Sequence, residues 1–261
     1  MSDSKRTPII VGNWKMHKTI QESIEFIKQL GQLLTKDEPR VCLAVPFTAI
    51  HPSVEAARPF SIVIGAQNMN DAAQGAFTGE IAGVMLKEAG AQFVIVGHSE
   101  RRTLFKETDE VVNQKIQRAF ADQLNVILCV GETLQEREAG KTEEKVRSQI
   151  EANLNQVTQD QFSHLMIAYE PIWAIGTNHV ATPEEAEKVH AFMREVVAAR
   201  WGKEAAESLP LIYGGSVKPE NALHLMSQSN IDGLLVGGAS LSPTTFHQII
   251  EYQNFNSGVS S

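Results

Sequence analysis

The chain has 261 residues, enough for one large or two small domains, and its 43% hydrophobic and 21% charged residues exclude an intrinsically disordered protein. A formal net charge of −8 is the wrong sign for gripping nucleic acid or an anionic membrane, and no basic run supplies a local exception. No apolar stretch approaches the roughly 20 residues that span a bilayer, and no signal-type apolar region follows the first residues, so a cytoplasmic location is expected, with neither nucleic acid nor membrane as a partner.

Eight short apolar runs follow one another along the chain, each bounded by Gly, Pro, Asn, Asp or Glu: Pro8 to Gly12, Val41 to Pro46, Ile62 to Gly65, Phe93 to Gly97, Val126 to Gly131, Leu165 to Glu170, Leu211 to Gly214 and Leu234 to Gly237. They are nearly continuous in Val, Ile and Leu, the pattern of parallel strands covered on both faces. Segments with helical spacing separate them. In the first, Ile20, Ile24 and Ile27 are expected on one face; later, Val189, Phe192, Met193, Val196 and Val197 form an apolar stripe. Thr182-Pro183-Glu184-Glu185 reads as a capped helix start with Pro in the first turn, and a last helix is expected after Pro243.

Eight strand-then-helix units without a linker predict an α/β fold, a closed eight-stranded parallel (β/α)8 barrel, as a single domain over residues 1–261 with frayed ends at 1–7 and 256–261. The competing architecture is an open parallel sheet, which the absence of a Gly-x-Gly-x-x-Gly turn disfavours. Cys42 and Cys129 sit inside apolar runs and read as buried small residues instead of a disulfide pair. The eight histidines show no metal-ligand spacing and no phosphate loop ends in Gly-Lys-Ser/Thr, so neither a metal nor a cofactor is expected.

In such a barrel the loops after the strands converge on one mouth. Strand one runs into Asn13 and Lys15, strand four into His98 and Glu100, and strand six into Glu170. Each has an ordinary explanation alone: a turn residue, a solvated lysine, a structural histidine, a carboxylate where a strand meets water. Their shared address points instead to one site. His98 precedes a plausible helix start, whose positive end favours a neutral imidazole able to donate a hydrogen bond. Glu170 precedes Pro171, which holds it extended and makes it the better general base.

The apolar segment Ile172-Trp173-Ala174-Ile175-Gly176-Thr177 is expected as an exposed lid that buries its Trp and Ile on closing. The glycine pairs in Tyr213-Gly214-Gly215-Ser216-Val217 and Val236-Gly237-Gly238-Ala239-Ser240 let backbone approach a ligand closely, and in this barrel they fall where phosphate is commonly held. Gln67 to Glu80 is long for a loop after a strand, and Phe77 and Thr78 near its tip suit either a loose lid or a docking arm.

The strings GNWKM at 12–16, GAFTGE at 75–80, VGHSERR at 96–102, CVGETL at 129–134, AYEPIWAIGT at 168–177, YGGSV at 213–217 and LLVGGASL at 234–241 resemble the triosephosphate isomerase family over nearly the whole chain. The resemblance implies the TIM-barrel fold and interconversion of dihydroxyacetone phosphate and glyceraldehyde 3-phosphate through an enediolate. It implies Glu170 as the base, His98 moving a proton between the oxygens, Lys15 as positive charge and Asn13 beside the reacting oxygens. Glu100 would help order the site, and Gly176, Ser216, Gly237 and Gly238 would offer backbone donors to phosphate. It also implies a homodimer in which Thr78, with Phe77 beside it, reaches Asn13, Lys15 and His98 of the partner. Two departures stand out: Asn178-His179-Val180 replaces the family's usual Gly-Lys-Thr, and His17 stands where Asn is common. Two other readings of the same residues are a Schiff-base lyase or aldolase using Lys15 on a ketose phosphate, and a phosphate-binding barrel without catalysis.

Overall fold

Every apolar run of the sequence becomes a strand in the computed structural model, which describes residues 6–35, 39–175 and 181–254. The strands are β1 (Ile9–Asn13), β2 (Arg40–Val45), β3 (Ile62–Ala66), β4 (Phe93–Val96), β5 (Asn125–Val130), β6 (Leu165–Tyr169), β7 (Leu211–Tyr213) and β8 (Gly233–Val236). All neighbours are parallel, and β8 returns to pair with β1, closing the barrel in sequence order. Closure removes the sheet edges that an open arrangement would expose. The helices are α1 (Ile20–Leu33), α2 (Ile50–Ala57), α3 (Gly83–Glu88), α4 (Ser99–Leu104), α5 (Asp109–Ala121), α6 (Leu134–Glu138), α7 (Thr142–Asn153), α8 (Pro183–Trp201), α9 (Lys203–Ser208), α10 (Pro219–Met226) and α11 (Pro243–Ile250). None is long and apolar enough to cross a membrane.

Successive strand residues point to opposite faces, so each strand feeds two cores. Ile10, Leu43, Val94, Leu128, Ile167 and Leu234 face the helices. Ile9, Val11, Cys42, Ala44, Phe93, Ile95, Ile127, Cys129, Met166, Ala168, Ile212 and Leu235 fill the barrel interior. Both cysteines are buried free thiols, as expected; burial pushes the Cys42 thiol up to about 11, which keeps it protonated and inert.

The helix signals are largely realised. Thr182 accepts from the Glu185 N–H while Glu185 returns the bond, with Pro183 opening α8, and Val189, Met193, Val196 and Val197 are buried. Ser242 caps α11 just before Pro243. The first helix differs from the expected stripe. Ile20 is 45% exposed and Ile24 half-buried, while Ser23, Phe26, Ile27, Leu30 and Gly31 form the buried face. The reason is close packing: a Cβ on Gly31 would lie 2.3 Å from the Phe60 ring, so the small residues bring that face inward.

At the N-terminal end of the barrel, Asp232 ties the floor together. Its carboxylate accepts from Arg194 Nη2 at 2.8 Å, Arg6 Nε at 2.5 Å and the Leu211 N–H at 2.9 Å. Arg6 lies within the terminal segment expected to fray, yet its side chain is held here. Residues 1–5 and 256–261, the rest of the expected loose ends apart from Thr7, lie outside the described residues, as does Phe255.

Candidate active site

The inward-facing rows of the barrel, continued by one step of two residues toward the C-terminal end, meet a different chemistry. Ile9 and Val11 lead to Asn13; Met166 and Ala168 lead to Glu170. The corresponding steps on β4, β5, β7 and β8 reach Gly97, Gly131, Gly214 and Gly237. On these six strands the top layer is therefore two polar side chains and four glycines. Space is the reason at two of them: a Cβ on Gly131 would fall 1.8 Å from the Glu170 carbonyl oxygen, and one on Gly214 would lie 3.0 Å from Glu170 Cγ. Sequence reasoning identified the glycine pairs of the last two strands but missed Gly131, whose signal is this period of two.

Glu170 leaves β6 with its N–H donating to the Val130 carbonyl at 2.7 Å, and its side chain is 3% exposed. Oε2 accepts the Ser99 N–H at 3.0 Å, and Oε1 lies 3.0 Å from His98 Nε2. Burial pushes the carboxyl pKa up, but the His98 ring, the Ser99 N–H and Lys15 together pull it below the ordinary carboxylate range. Ser99, a donor the sequence reading did not single out, is thus part of the carboxylate's setting.

His98 caps α4, as its sequence position suggested, and its Nδ1 accepts the Glu100 N–H at 3.2 Å. That bond occupies the Nδ1 lone pair, so the neutral ring carries its hydrogen on Nε2 and donates it to Glu170. Burial opposes a second proton, but the Glu170 carboxylate, and Glu100 beyond it, outweigh burial and raise the ring's pKa above its ordinary value in this arrangement. The helix start supplies the closed Nδ1 position; the carboxylates set the direction of the shift.

Lys15 follows in a left-handed backbone conformation, φ +53°, which costs an L residue energy and is held here by the Asn13 side chain accepting the Lys15 N–H at 3.0 Å. Its Nζ donates to Glu100 Oε1 at 2.5 Å. Asn13, Lys15, His98 and Glu170 share one cavity of about 290 Å³ with the loops after β7 and β8, including Ser216, Gly237 and Gly238. The same cavity is lined by Lys218, absent from the sequence-based set. Gly176, expected among the phosphate donors, lies outside the described residues, as do Thr177 and Asn178-His179-Val180. Among the described residues no cluster of His, Cys, Asp and Glu could hold a metal ion.

The segment expected as an exposed lid begins differently. Trp173 is buried, and its Nε1 donates to Glu132 at 2.8 Å. Tyr169 donates to the same carboxylate at 3.1 Å, and Arg137 stacks over the Trp173 ring at 4.0 Å. The large aromatic is an anchor of the loop base, not an exposed part of its tip. Glu132 is a missed residue too: burial outweighs its donors and raises its carboxyl pKa.

The long loop after β3 is braced at its base by Asn70, whose N–H donates to the Ile81 carbonyl at 2.9 Å and whose amide donates to Glu80 at 2.8 Å. Phe77 at its tip is 52% exposed, and Thr78 is exposed. A second cavity of about 460 Å³ adjoins the first through Asn13, Lys15 and His98, with Met16, Phe47, Leu104 and Phe105 supplying apolar walls.

Comparison with known proteins agrees with this geometry. The family model described as triosephosphate isomerase matches residues 8–253. Triosephosphate isomerase of Protochlamydia amoebophila is 50% identical over 250 residues, covering 96% of this chain and 95% of its own length. That of Carboxydothermus hydrogenoformans is 50% identical over 248 residues, covering 94% and 98%, and that of Alkaliphilus metalliredigens is 46% identical over 247 residues, covering 95% and 100%. With both cores, the glycine-lined mouth and these relatives in agreement, the chain belongs to the triosephosphate isomerase family.

Proposed function

We propose that the chain interconverts dihydroxyacetone phosphate and D-glyceraldehyde 3-phosphate, with Glu170 and His98 as the proton-transfer pair, in a single barrel domain of the cytoplasm. The observation that carries the assignment of roles is the pairing of a buried carboxylate with the Nε2 edge of His98 at 3.0 Å, in the cavity that also holds Lys15 and the glycine loops. Glu170 takes a proton from C1 of the ketose; the C–H electrons form the C1–C2 double bond, and the carbonyl pair moves onto oxygen. His98 donates its Nε2 hydrogen to that oxygen and recovers a proton from the neighbouring hydroxyl. Glu170 then returns its proton to C2, giving the aldose with no net gain or loss of atoms.

The same forces explain why the resting carboxylate is a weak base and the engaged one a stronger base. Burial is the largest influence on Glu170, and it is masked by the bonds from His98 and Ser99. When the carboxylate turns to a substrate carbon it gives up those bonds while burial persists, and its proton affinity rises. Lys15 and Asn13 lie beside the reacting oxygens, and Glu100 fixes Lys15 through the 2.5 Å contact. Phosphate sits among the N–H groups of Ser216, Gly237 and Gly238. A Schiff-base route would require Lys15 to leave Glu100 and act as a free amine.

The protein acts as a homodimer in this reading. Thr78 and Phe77 of one protomer enter the apolar-walled cavity of its partner, and what supports this is the braced, outward arm and the 460 Å³ cavity that borders the site. Sedimentation at micromolar concentration yielding only monomer would overturn the dimer.

The functional test is incubation of the ketose phosphate with the protein in D2O, read by a coupled assay for aldose and by deuterium incorporation. Aldose carrying deuterium at C2 is expected; neither aldose nor label would overturn the assignment.

A further inference from the structure

We infer that Lys218 is a steering and affinity residue for the substrate's phosphate, a role that deepens the isomerase reading and rests on it. Charge around the cavity motivates this. Lys15 Nζ is committed to Glu100 at 2.5 Å, and Glu170 adds a second carboxylate. The side chains nearest the reaction therefore present two negative charges against one positive, in a chain of net charge −8. A phosphate dianion approaching such a mouth meets repulsion unless another cation faces it.

Lys218 is that cation. It is exposed, it lines the cavity on the side of Gly215 and Ser216, and among the described residues it forms no ion pair. Its backbone is fixed: the Lys218 N–H donates to Asn221 Oδ1 at 2.9 Å, and Asn221 Nδ2 donates to the Ser216 carbonyl at 3.0 Å. This clasp joins the first turn of α10 to the glycine loop, so the lysine is held at the lip while its long side chain stays free. In the same cavity Lys15 runs past Gly237, with Cε 3.7 Å from the place a Cβ would take there. An anion resting on the Ser216 and Gly237 backbones thus shares its cavity with two lysines, one neutralised by Glu100 and one without an ion-pair partner among the described residues.

Exposed rim charges act mainly on encounter and affinity, and their influence fades with salt. K218Q is therefore expected to lower kcat/KM for the triose phosphate about fivefold at low ionic strength, through KM, with kcat nearly unchanged. The gap should close to under about twofold in 0.5 M salt, and K218R should restore the parent's kinetics. The inhibition constant for inorganic phosphate should rise with KM. The assignment is overturned if K218Q keeps the parent's kcat/KM and salt dependence, if its loss is equal at all ionic strengths, or if kcat falls while KM holds. Direct titration of the parent and K218Q with inorganic phosphate separates this inference from the isomerase reading. A parent that binds phosphate but turns over no triose would sink the activity, while the affinity difference between the two proteins would still decide Lys218.

Discussion

The two ends of the barrel handle polar groups in opposite ways. At the floor, Arg194 is spent on fixed partners: Asp232, the Asn230 side chain at 2.8 Å, the Leu209 carbonyl at 3.1 Å and the Ala206 carbonyl. Arg6 closes the same cluster from the chain's beginning. At the mouth, a lysine is held at positive φ, Gly131 and Gly214 clear room that Glu170 occupies, and the buried carboxylate rests on the Ser99 N–H and the His98 ring. One end uses charge to hold strands together; the other keeps charge poised and accepts strain for it.

This contrast is tested most sharply by Glu170→Asp. Withdrawing the carboxylate by one methylene moves the base by about 1 Å, which is expected to lower kcat by roughly 10²-fold or more while KM changes little. Unfolding by urea should change by no more than about 1 kcal/mol, because the mouth contributes geometry to catalysis more than stability to the fold. A variant within a few-fold of the parent's kcat would remove Glu170 from the role of base.

The counterpart at the floor is Arg194→Met, which leaves Asp232 buried with Arg6 as its remaining cation. Breaking a buried pair in this way is expected to cost about 3 kcal/mol of stability. The folded fraction should keep kcat within about twofold, since the floor lies at the far end of the strands. A rate loss matching the stability loss would show that the two ends are not separable.

The floor and the mouth were unequally legible in the sequence. The strands could be read because both of their faces are buried, which leaves nearly unbroken Val, Ile and Leu runs at Val41 to Val45 and Val126 to Val130. Asn13, His98 and Glu170 could be read because they break such runs at one end. The face of α1 could not, because Ile20 and Ile24 carry as much apolar character as Phe26 and Leu30, and the choice was made by the small residues Ser23 and Gly31. Nor could the partners of Asp232 and Glu132, which gather from positions up to 226 residues apart and have no local pattern. Trp173 misled for the same reason. A tryptophan in a loop reads as exposed unless its partner, 41 residues earlier, is known.

That partnership gives the smallest of the expected effects and ties the mouth to the loop beside it. Glu132 is fully buried and accepts from Trp173 and Tyr169, yet burial still raises its carboxyl pKa. The folded protein therefore binds this proton more readily than the unfolded chain, so Glu132 favours folding below its unfolded pKa and that contribution is lost as pH rises through the folded value. Trp173→Phe removes a donor that matters most when the carboxylate is ionised, at a cost of about 1 kcal/mol at pH 8. Lowering the pH through the raised folded pKa of Glu132 protonates the carboxylate and should shrink the deficit, as measured by urea unfolding at several pH values. A deficit that stayed constant or grew in acid would mean that Trp173 stabilises this loop by packing alone, with the Arg137 stack and not the Glu132 bond as its anchor.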